Sequence, residues 1–435
     1  MLDIRKIRAG PEEIKQRLAT RIEDVGTIDE LLTADEHRRE SIAQQDELRA
    51  KRNENAKSTR QTTSEEERDA IRTQGRELSR LLSDKEALVR KYEARVKELH
   101  YQIPNLPHTS VPVGKDERSN EVVGEWGDVP EFDFDPKPHW EVGEPLGLDI
   151  PMGVGMAGSR FYVLKGQMAL LELALVQFMI DFHVARGYTP VIPPFMVTEE
   201  AMYACAQLPK FEDGLYSTPR DLTNSSAEML YLIPTAESAL ASLHKGEVLD
   251  AESMPLRYVG YSPCFRRETS AGGRDVRGIK RVHQFTKVEL FKFVTPESSY
   301  DELESLTDDA ERILGHLEIP YRKTVLSSGD MSFASSKTYD LEVWLPSERS
   351  YSEVSSCSNV EDFQARRLQT RCCAAPGSRP EYVHMLNGSG LAIGRTALAL
   401  LENHQRRDGS VAIPAPLRPY IGGRESLQPE PALTK

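Results

Sequence analysis

Residues 261–289, YSPCFRRETSAGGRDVRGIKRVHQFTKVE, set the pair Arg266 and Arg267 and then Glu268 before a turn rich in glycine, serine and arginine. The chain returns through Arg281, His283 and Phe285 to Glu289. Guanidinium forks grip phosphate oxygens bidentately and an aromatic ring stacks on a purine. An apolar strand, a polar loop and a second, alternating strand therefore make a hairpin suited to a nucleotide. Displacement at an α-phosphate needs positive charge on the non-bridging oxygens, which Arg266 can deliver in a geometry that lysine does not match. Surface Arg–Glu pairing is the plainer alternative. A second Arg/His cluster, a Gly-rich turn and an aromatic two residues after His283 together favour the nucleotide.

Three further segments carry candidate chemistry. In LIPTAESAL, Thr235 and Glu237 offer a hydroxyl and a carboxylate to a small zwitterion, although taken alone Thr-x-Glu reads more readily as a helix cap. After the alternating strand around Leu341, Val343 and Leu345, the residues Glu353, Ser355, Ser356 and Ser358 offer oxygens to a divalent ion. A Ser-rich turn with a capping Glu reads equally well there. In MLNGSGLAIGRTALALLENHQ, Asn387, Gly388, Ser389 and Gly390 end a strand and Arg395 opens an apolar helix. A cation at a helix N-terminus opposes the macrodipole, an arrangement favoured chiefly when an anion sits beside it.

The elements that must position these residues follow from pattern. The 435 residues exceed one ordinary core and suggest two domains. A net charge of −13 argues against binding nucleic acid by bulk charge but leaves room for a local basic surface. The five cysteines form no CxxC spacing, so reduced thiols and no zinc are expected. The charged N-terminus is no secretory signal, and the apolar run 168–185 holds Glu172, Gln177, Asp181 and His183. A buried helix, no membrane span and a cytoplasmic address are expected.

Between Pro11 and Pro104 no proline occurs, and long helices are predicted. Leu78, Leu82, Val89, Tyr92, Val96 and Leu99 make a coiled-coil stripe broken only by Lys85, whereas Leu31, Leu32, Ile42 and Leu48 make no clean heptad. Ser64 with Glu67 forms a capping box that starts a second helix, so two antiparallel helices meet near Ser58 to Ser64 and must project from a domain of this size. An oligomerising coiled coil and an RNA-binding arm both fit. Residues 101–139 turn to proline and glycine and read as a linker. Beyond Gly143 strands and helices alternate with no βαβ period, so an α+β fold is expected, an antiparallel sheet flanked by helices.

On these motifs the second half resembles the class II aminoacyl-tRNA synthetases, and the whole chain is similar to the seryl-tRNA synthetase family. GYTPVIPPFMV (187–197), the 264–289 hairpin and GSGLAIGRTALALLE (388–402) resemble the three motifs of the class. QLPKF, LIPTAE and SSCSNVEDFQARR resemble segments peculiar to the seryl enzymes. The resemblance divides the chain into an N-terminal tRNA-binding domain (1–105, arm about 27–100), a linker (106–142), a catalytic domain (143–420) and a flexible tail (421–435).

It also implies ATP- and Mg²⁺-dependent activation of L-serine and transfer to the 3′ end of serine tRNA, extended to selenocysteine tRNA where a host has one. Arg266 would bridge the α-phosphate and the serine carboxylate, and Glu268 would meet the adenine amino group. Phe285 would stack on the ring, Val282 would line the pocket, and Arg395 would hold the γ-phosphate. Glu353 and Ser356 would ligate magnesium, with Arg267, Val354 and Ser355 completing the ATP set. Thr235, Ala236, Glu237, Glu289, Asn387 and Ser389 would form the serine site. Arg38, Arg39, Arg49, Lys51 and Arg52 are the tRNA-facing candidates. The family is homodimeric, with its first motif at the interface. A synthetase-like protein that charges a carrier protein is the main rival, and the full helical arm speaks against it. Departures are Ala204, Cys205 and Ala206 in place of the usual Gly-Thr-Gly, Ser270 for Gly, and Ser352 for Arg.

Overall fold

The computed structural model describes residues 1–22, 24–61, 64–219, 229–268, 278–373, 375 and 377–429. Two compact units divide at residues 104 and 105. In the first, short helices Ile4–Ala9 and Pro11–Leu18 precede two long ones, α1 (Thr27–Gln61) and α2 (Glu65–Gln102), packed side by side. Ser64 caps α2, its Oγ accepting from Glu67 N–H at 3.5 Å, so the start read from the sequence is where the helix begins. Leu78, Leu82, Val89, Val96 and Leu99 are buried as the stripe requires, and Tyr92 is half-buried. His37 and Tyr92 (ring centroids 5.2 Å apart), Arg49 and Glu86 (3.3 Å), and Asn55 and Gln74 (3.0 Å) fix the antiparallel register.

The second unit is built on an eight-stranded sheet. In chain order its strands are β1 (Glu121–Trp126), β2 (Thr189–Val191), β3 (Leu256–Phe265), β4 (Gln284–Val294), β5 (Tyr321–Val325), β6 (Lys337–Leu345), β7 (Ser350–Asn359) and β8 (His384–Ala392). In space they run β1-β5-β6-β7-β8-β4-β3-β2, antiparallel throughout except for β2 beside β3. Helices α3 (Gly166–Ala185), α4 (Ser299–His316) and α5 (Ile393–Asn403) pack on it. Val288, Leu290, Leu303, Leu306, Leu391 and Leu400 meet in this core. Each such side chain contributes about 1.5–3 kcal/mol by leaving water.

Two expectations need correction. Residues 106–142 are no free linker: Asn105 Nδ2 donates to Ala334 O and Val360 O at 2.9 Å each, and β1 forms an edge of the sheet by pairing with β5. The tail is likewise tied down as far as Gln428, because Ser426–Leu427 pairs with Val411–Ala412 and Leu427 is fully buried. Among the described residues α3 alone is long and apolar enough to cross a membrane. Met168, Leu171, Leu175 and Met179 on one side of it belong to the core, while Leu170 and Leu173 on the other are exposed.

Candidate active site

Strands β3 and β4 form the expected hairpin, and its open end is closed by the backbone. Arg266 N–H donates to His283 O, and His283 Nδ1 to Arg266 O, both at 2.9 Å. Alternation along β4 puts Phe285, Lys287 and Glu289 on the face opposite Val288 and Leu290. Phe285 lies under the Arg266 guanidinium, with the charge 5.2 Å from the ring centre. Glu268 takes a left-handed φ of +45°, held by Arg160 Nη1 on its carbonyl at 2.6 Å.

Two β-bulges complete the site. Leu341 opposes Ser355 but Glu342 opposes Glu353, which leaves Val354 as the extra residue. Without that insertion Glu353 would share a face with Ser355 and Cys357. With it, Glu353 and Ser356 look the same way, into the cleft. A second bulge at Gly390 lets β8 present Asn387 and Ser389 before it turns into α5.

Two adjoining cavities result. Phe285, Val282, Glu268, Val354 and Arg395 line the first, and Thr235, Glu237, Glu289, Ser356 and Asn387 the second. Arg266, Lys287, Glu353 and Ser389 line both. The first cavity offers an aromatic face and guanidiniums, chemistry for a purine and its phosphates. The second offers buried carboxylates and hydroxyls, chemistry for a small ammonium-bearing solute.

Burial, then the neighbouring charge of Glu289, pushes the Glu237 carboxyl up to about 7, although Gln364 Nε2 donates to it at 2.6 Å and Lys287 and Arg266 lie near. Glu353 behaves in the opposite way. Its side chain is still open to solvent at the cleft, and although partial desolvation opposes ionisation, the Arg395 and Arg266 guanidiniums hold it below the usual carboxylate range. Arg395 Nη1 donates to Glu353 O at 2.9 Å and lies 3.3 Å from its carboxylate. Behind Ser356, burial and the charge of Glu353 hold Asp340 well above its ordinary value. Its Oδ1 is buried without a hydrogen-bond partner among the described residues.

Not every candidate reaches a cavity wall. Arg267, the next residue along from Arg266, is exposed, with its guanidinium 5.7 Å from the Tyr216 ring centre. The Ser355 hydroxyl faces the core and donates to Ser389 O at 2.6 Å, so it braces that residue instead of meeting a ligand. Ala236 is fully buried at the turn into Glu237–Ala241. In the first unit, Arg38 and Arg39 are bound to the buried Asp35 at 2.6 and 3.1 Å, Arg49 pairs with Glu86 and Lys51 with Glu47. Arg52 is exposed. Ser270 lies outside the described residues. Lys287 escaped notice in the sequence, although its place two residues before Glu289 on a strand was a sufficient signal.

The core description of class II tRNA synthetases (G, H, P, S and T) matches residues 221–404, and that of the seryl-tRNA synthetase N-terminal domain matches residues 1–107. The serine–tRNA ligase of Roseiflexus sp. (strain RS-1) is 48% identical over 433 residues, covering 98% of this chain and all of that one. That of Petrotoga mobilis is 47% identical over 427 residues, covering 97% and 99%. A crystal structure of seryl-tRNA synthetase from Pyrococcus horikoshii complexed with ATP superposes with a TM-score of 0.90 at 37% identity, over 99% of this chain and 100% of that one. The cytoplasmic serine–tRNA ligase of Naegleria fowleri in complex with AMP gives 0.84 at 31%, over 97% and 96%. Matched from end to end in sequence and in fold, the chain belongs to the seryl-tRNA synthetase family of class II aminoacyl-tRNA synthetases.

Proposed function

We propose that the two cavities hold ATP and L-serine and that the protein is an ATP-dependent serine–tRNA ligase: it forms seryl-adenylate and passes the seryl group to the 3′ end of serine tRNA. The observation that carries this reading is the position of Arg266, which lines both cavities above Phe285. A guanidinium there can bridge the α-phosphate and the serine carboxylate. The carboxylate oxygen attacks the α-phosphorus and pyrophosphate leaves with the electron pair of the broken P–O bond. No protein nucleophile is needed, because holding two anions together and neutralising them is the catalysis.

Phe285 stacks on adenine, Glu268 meets its amino group, Val282 lines the pocket and Arg395 takes the γ-phosphate. Thr235, Glu237, Glu289 and Ser389 receive the ammonium and hydroxyl of serine, with Asn387 nearby. Alanine leaves those polar groups unpaired, at about 1–3 kcal/mol each, and threonine adds a methyl that must be accommodated. The hard oxygens of Glu353 and Ser356, backed by the orphan Asp340 Oδ1, suit Mg²⁺, which favours one or two carboxylates plus substrate phosphates. When bound it would neutralise phosphate charge.

The arm formed by α1 and α2 reads the acceptor by backbone and shape, with selenocysteine tRNA a second acceptor where one exists. The exposed Leu170, Leu173 and Ile192 near the first motif support a homodimer, and the cytoplasm is the proposed location. Exchange of labelled pyrophosphate into ATP tests the reading. Stimulation by serine but not by alanine or threonine is expected, followed by serine charging of bulk tRNA; exchange independent of serine would overturn it.

A further inference from the structure

Lys287 occupies the place of a substrate ammonium. Its Nζ donates to Thr235 Oγ1 at 2.7 Å and is ion-paired with Glu289. The lysine is 6% exposed and the glutamate 1%. Thr235 and Glu289 are the groups assigned above to serine, and a lysine ammonium and an α-ammonium are both compact three-donor cations. The two compete for the same acceptors. Thr235 and Glu289 are therefore already engaged by a side chain of the protein itself.

The same lysine lines the neighbouring cavity beside Arg266 and Glu353. Its backbone is fixed, because Lys287 pairs with Ser262 of β3 on one side and Ala392 of β8 on the other. Only the four-carbon stem is free to turn. Joining a carboxylate to an anionic phosphate is favoured by positive charge at their junction beyond that of Arg266, and Lys287 lines both cavities that would bring the two together.

We propose that Lys287 is a further substrate-binding residue of adenylation. It holds the ammonium subsite of the free enzyme. When the ammonium of serine takes over Thr235 and Glu289, it redirects its own charge to the junction of the serine carboxylate and the ATP α-phosphate. The inference rests on the reading of the cavities as serine and ATP sites. Lys287 only donates hydrogen bonds, and no proton leaves it: the new bond is carboxylate O–P, the broken one P–O to pyrophosphate. The exchange makes the second cation available only once serine is bound. The contrasting possibility is that Lys287 is the permanent counter-ion of Glu289 and never moves.

Full-length Lys287→Met separates the two. Serine affinity is measured by calorimetry without ATP, and kcat by serine-dependent pyrophosphate exchange. If Lys287 is a displaceable occupant, its removal leaves Glu289 in need of a cation, so serine binds within about threefold of wild type or tighter while kcat falls about 10²-fold or more. A loss of serine affinity that parallels the loss of exchange would make it a fixed counter-ion, and wild-type kcat would make it a bystander; either overturns the proposal. Should the methionine variant not fold, Lys287→Arg decides by the same two readings. Its bulkier fork is expected to lower kcat about tenfold with serine affinity held, and a joint loss of affinity and kcat overturns the proposal. Wild-type exchange without serine dependence would instead remove the functional reading itself.

Discussion

Glu402 Oε1 accepts from His139 twice, from Nδ1 at 2.9 Å and from the backbone N–H at 3.0 Å, while His139 Nε2 accepts from Ile279 N–H at 3.2 Å. The imidazole proton is therefore on Nδ1. Ile279 begins the return to β4, and the next carbonyl, Lys280 O, accepts from Arg395 Nε at 3.4 Å. A Cβ on Gly278 would lie 2.0 Å from His139 Nε2, so the chain passes directly over the ring. A buried pair that lines neither cavity thus fixes the backbone against which Arg395 is set. Burial opposes ionisation of Glu402, but hydrogen bonds from His139 and Ser347 hold it below the usual range.

His139→Ala is predicted to cost about 2–4 kcal/mol by removing the imidazole donor from the buried Glu402, which keeps its backbone and Ser347 donors, and by leaving Ile279 N–H without its acceptor. Among folded molecules it should raise KM for ATP more than KM for serine. Because the folded pKa of Glu402 is depressed, its contribution is complete above the unfolded carboxylate value and is lost as pH falls through the folded one. Urea titrations at neutral and acid pH, with exchange kinetics, check both parts. Equal effects on the two substrates would deny the link to Arg395.

Arg266→Ala should lower serine-dependent exchange by about 10²–10³-fold or more, since it removes what is, among the described residues, the one guanidinium that lines both cavities. The side chain is only half-buried and its backbone bonds to His283 do not need it, so the circular dichroism spectrum should be unchanged. Wild-type exchange in this variant would take Arg266 out of the chemistry.

What the sequence made legible was local. The cap at Ser64, the 3.6-residue stripe of α2 and the alternation of β4 each follow from neighbours in the chain. The partner helix was opaque for a physical reason. The inward-facing residues of α1 are Leu31, Ala34, Arg38, Ser41, Gln45 and Leu48, in heptad spacing, but half of them are polar and a search for apolar residues passes over them. Of the four residues whose oxygens were offered to a divalent ion, Glu353 and Ser356 were singled out by resemblance alone. Three residues apart on a regular strand they would face opposite ways, and the bulge at Val354 that aligns them is set by pairing with β6. The edge strand β1 was hidden in a linker-like composition because its partner, β5, lies some two hundred residues further on.

Ala206 adopts φ +60° and is buried, at a position where the resembled family has glycine. A left-handed alanine costs about 1–2 kcal/mol, and glycine returns part of that gain through the entropy of the unfolded chain. Ala206→Gly should therefore stabilise by a net of about 0.5–1 kcal/mol. Ala204, the last residue of the helix Glu199–Ala204, has no such strain. Ala204→Gly should destabilise by about 0.5–1 kcal/mol. Opposite shifts of the urea midpoint are expected, and shifts of the same sign would show that the backbone argument fails.

Serine binding should be linked to the proton on Glu237. Its carboxyl titrates at about 7, raised by burial and by Glu289 against the pull of Gln364, Lys287 and Arg266. An incoming ammonium favours the carboxylate, so serine expels the proton and binds more weakly as pH falls from about 8 to 6. Calorimetry in buffers of differing ionisation enthalpy should detect net proton release near pH 6.5. Glu237→Gln should bind serine more weakly and flatten the profile; an unchanged profile would assign the linkage to another group.

Shortening the arm should divide the two half-reactions. His37 and Tyr92 face each other with ring centroids 5.2 Å apart, so residues 38–91 can be replaced by a short glycine linker that leaves the base of the helical pair in register. The pairs Arg49–Glu86 and Lys51–Glu47 lost with the excised segment are exposed and contribute little, and the buried Asp35, which loses Arg38 and Arg39, keeps Arg8 at 3.6 Å, so the remaining helices should persist. Every residue proposed for adenylation lies between Thr235 and Arg395 and is untouched. Serine-dependent exchange should therefore stay within about twofold of wild type. Charging should fall by at least about 10²-fold, because phosphate contacts from exposed arm residues such as Arg52 supply orientation and affinity that chemistry at the adenylate cannot replace. The salt dependence of charging should flatten in the shortened protein, since each lost phosphate contact removes about one released counter-ion. Full charging activity with an unaltered salt slope would mean that serine tRNA is recognised elsewhere on the chain.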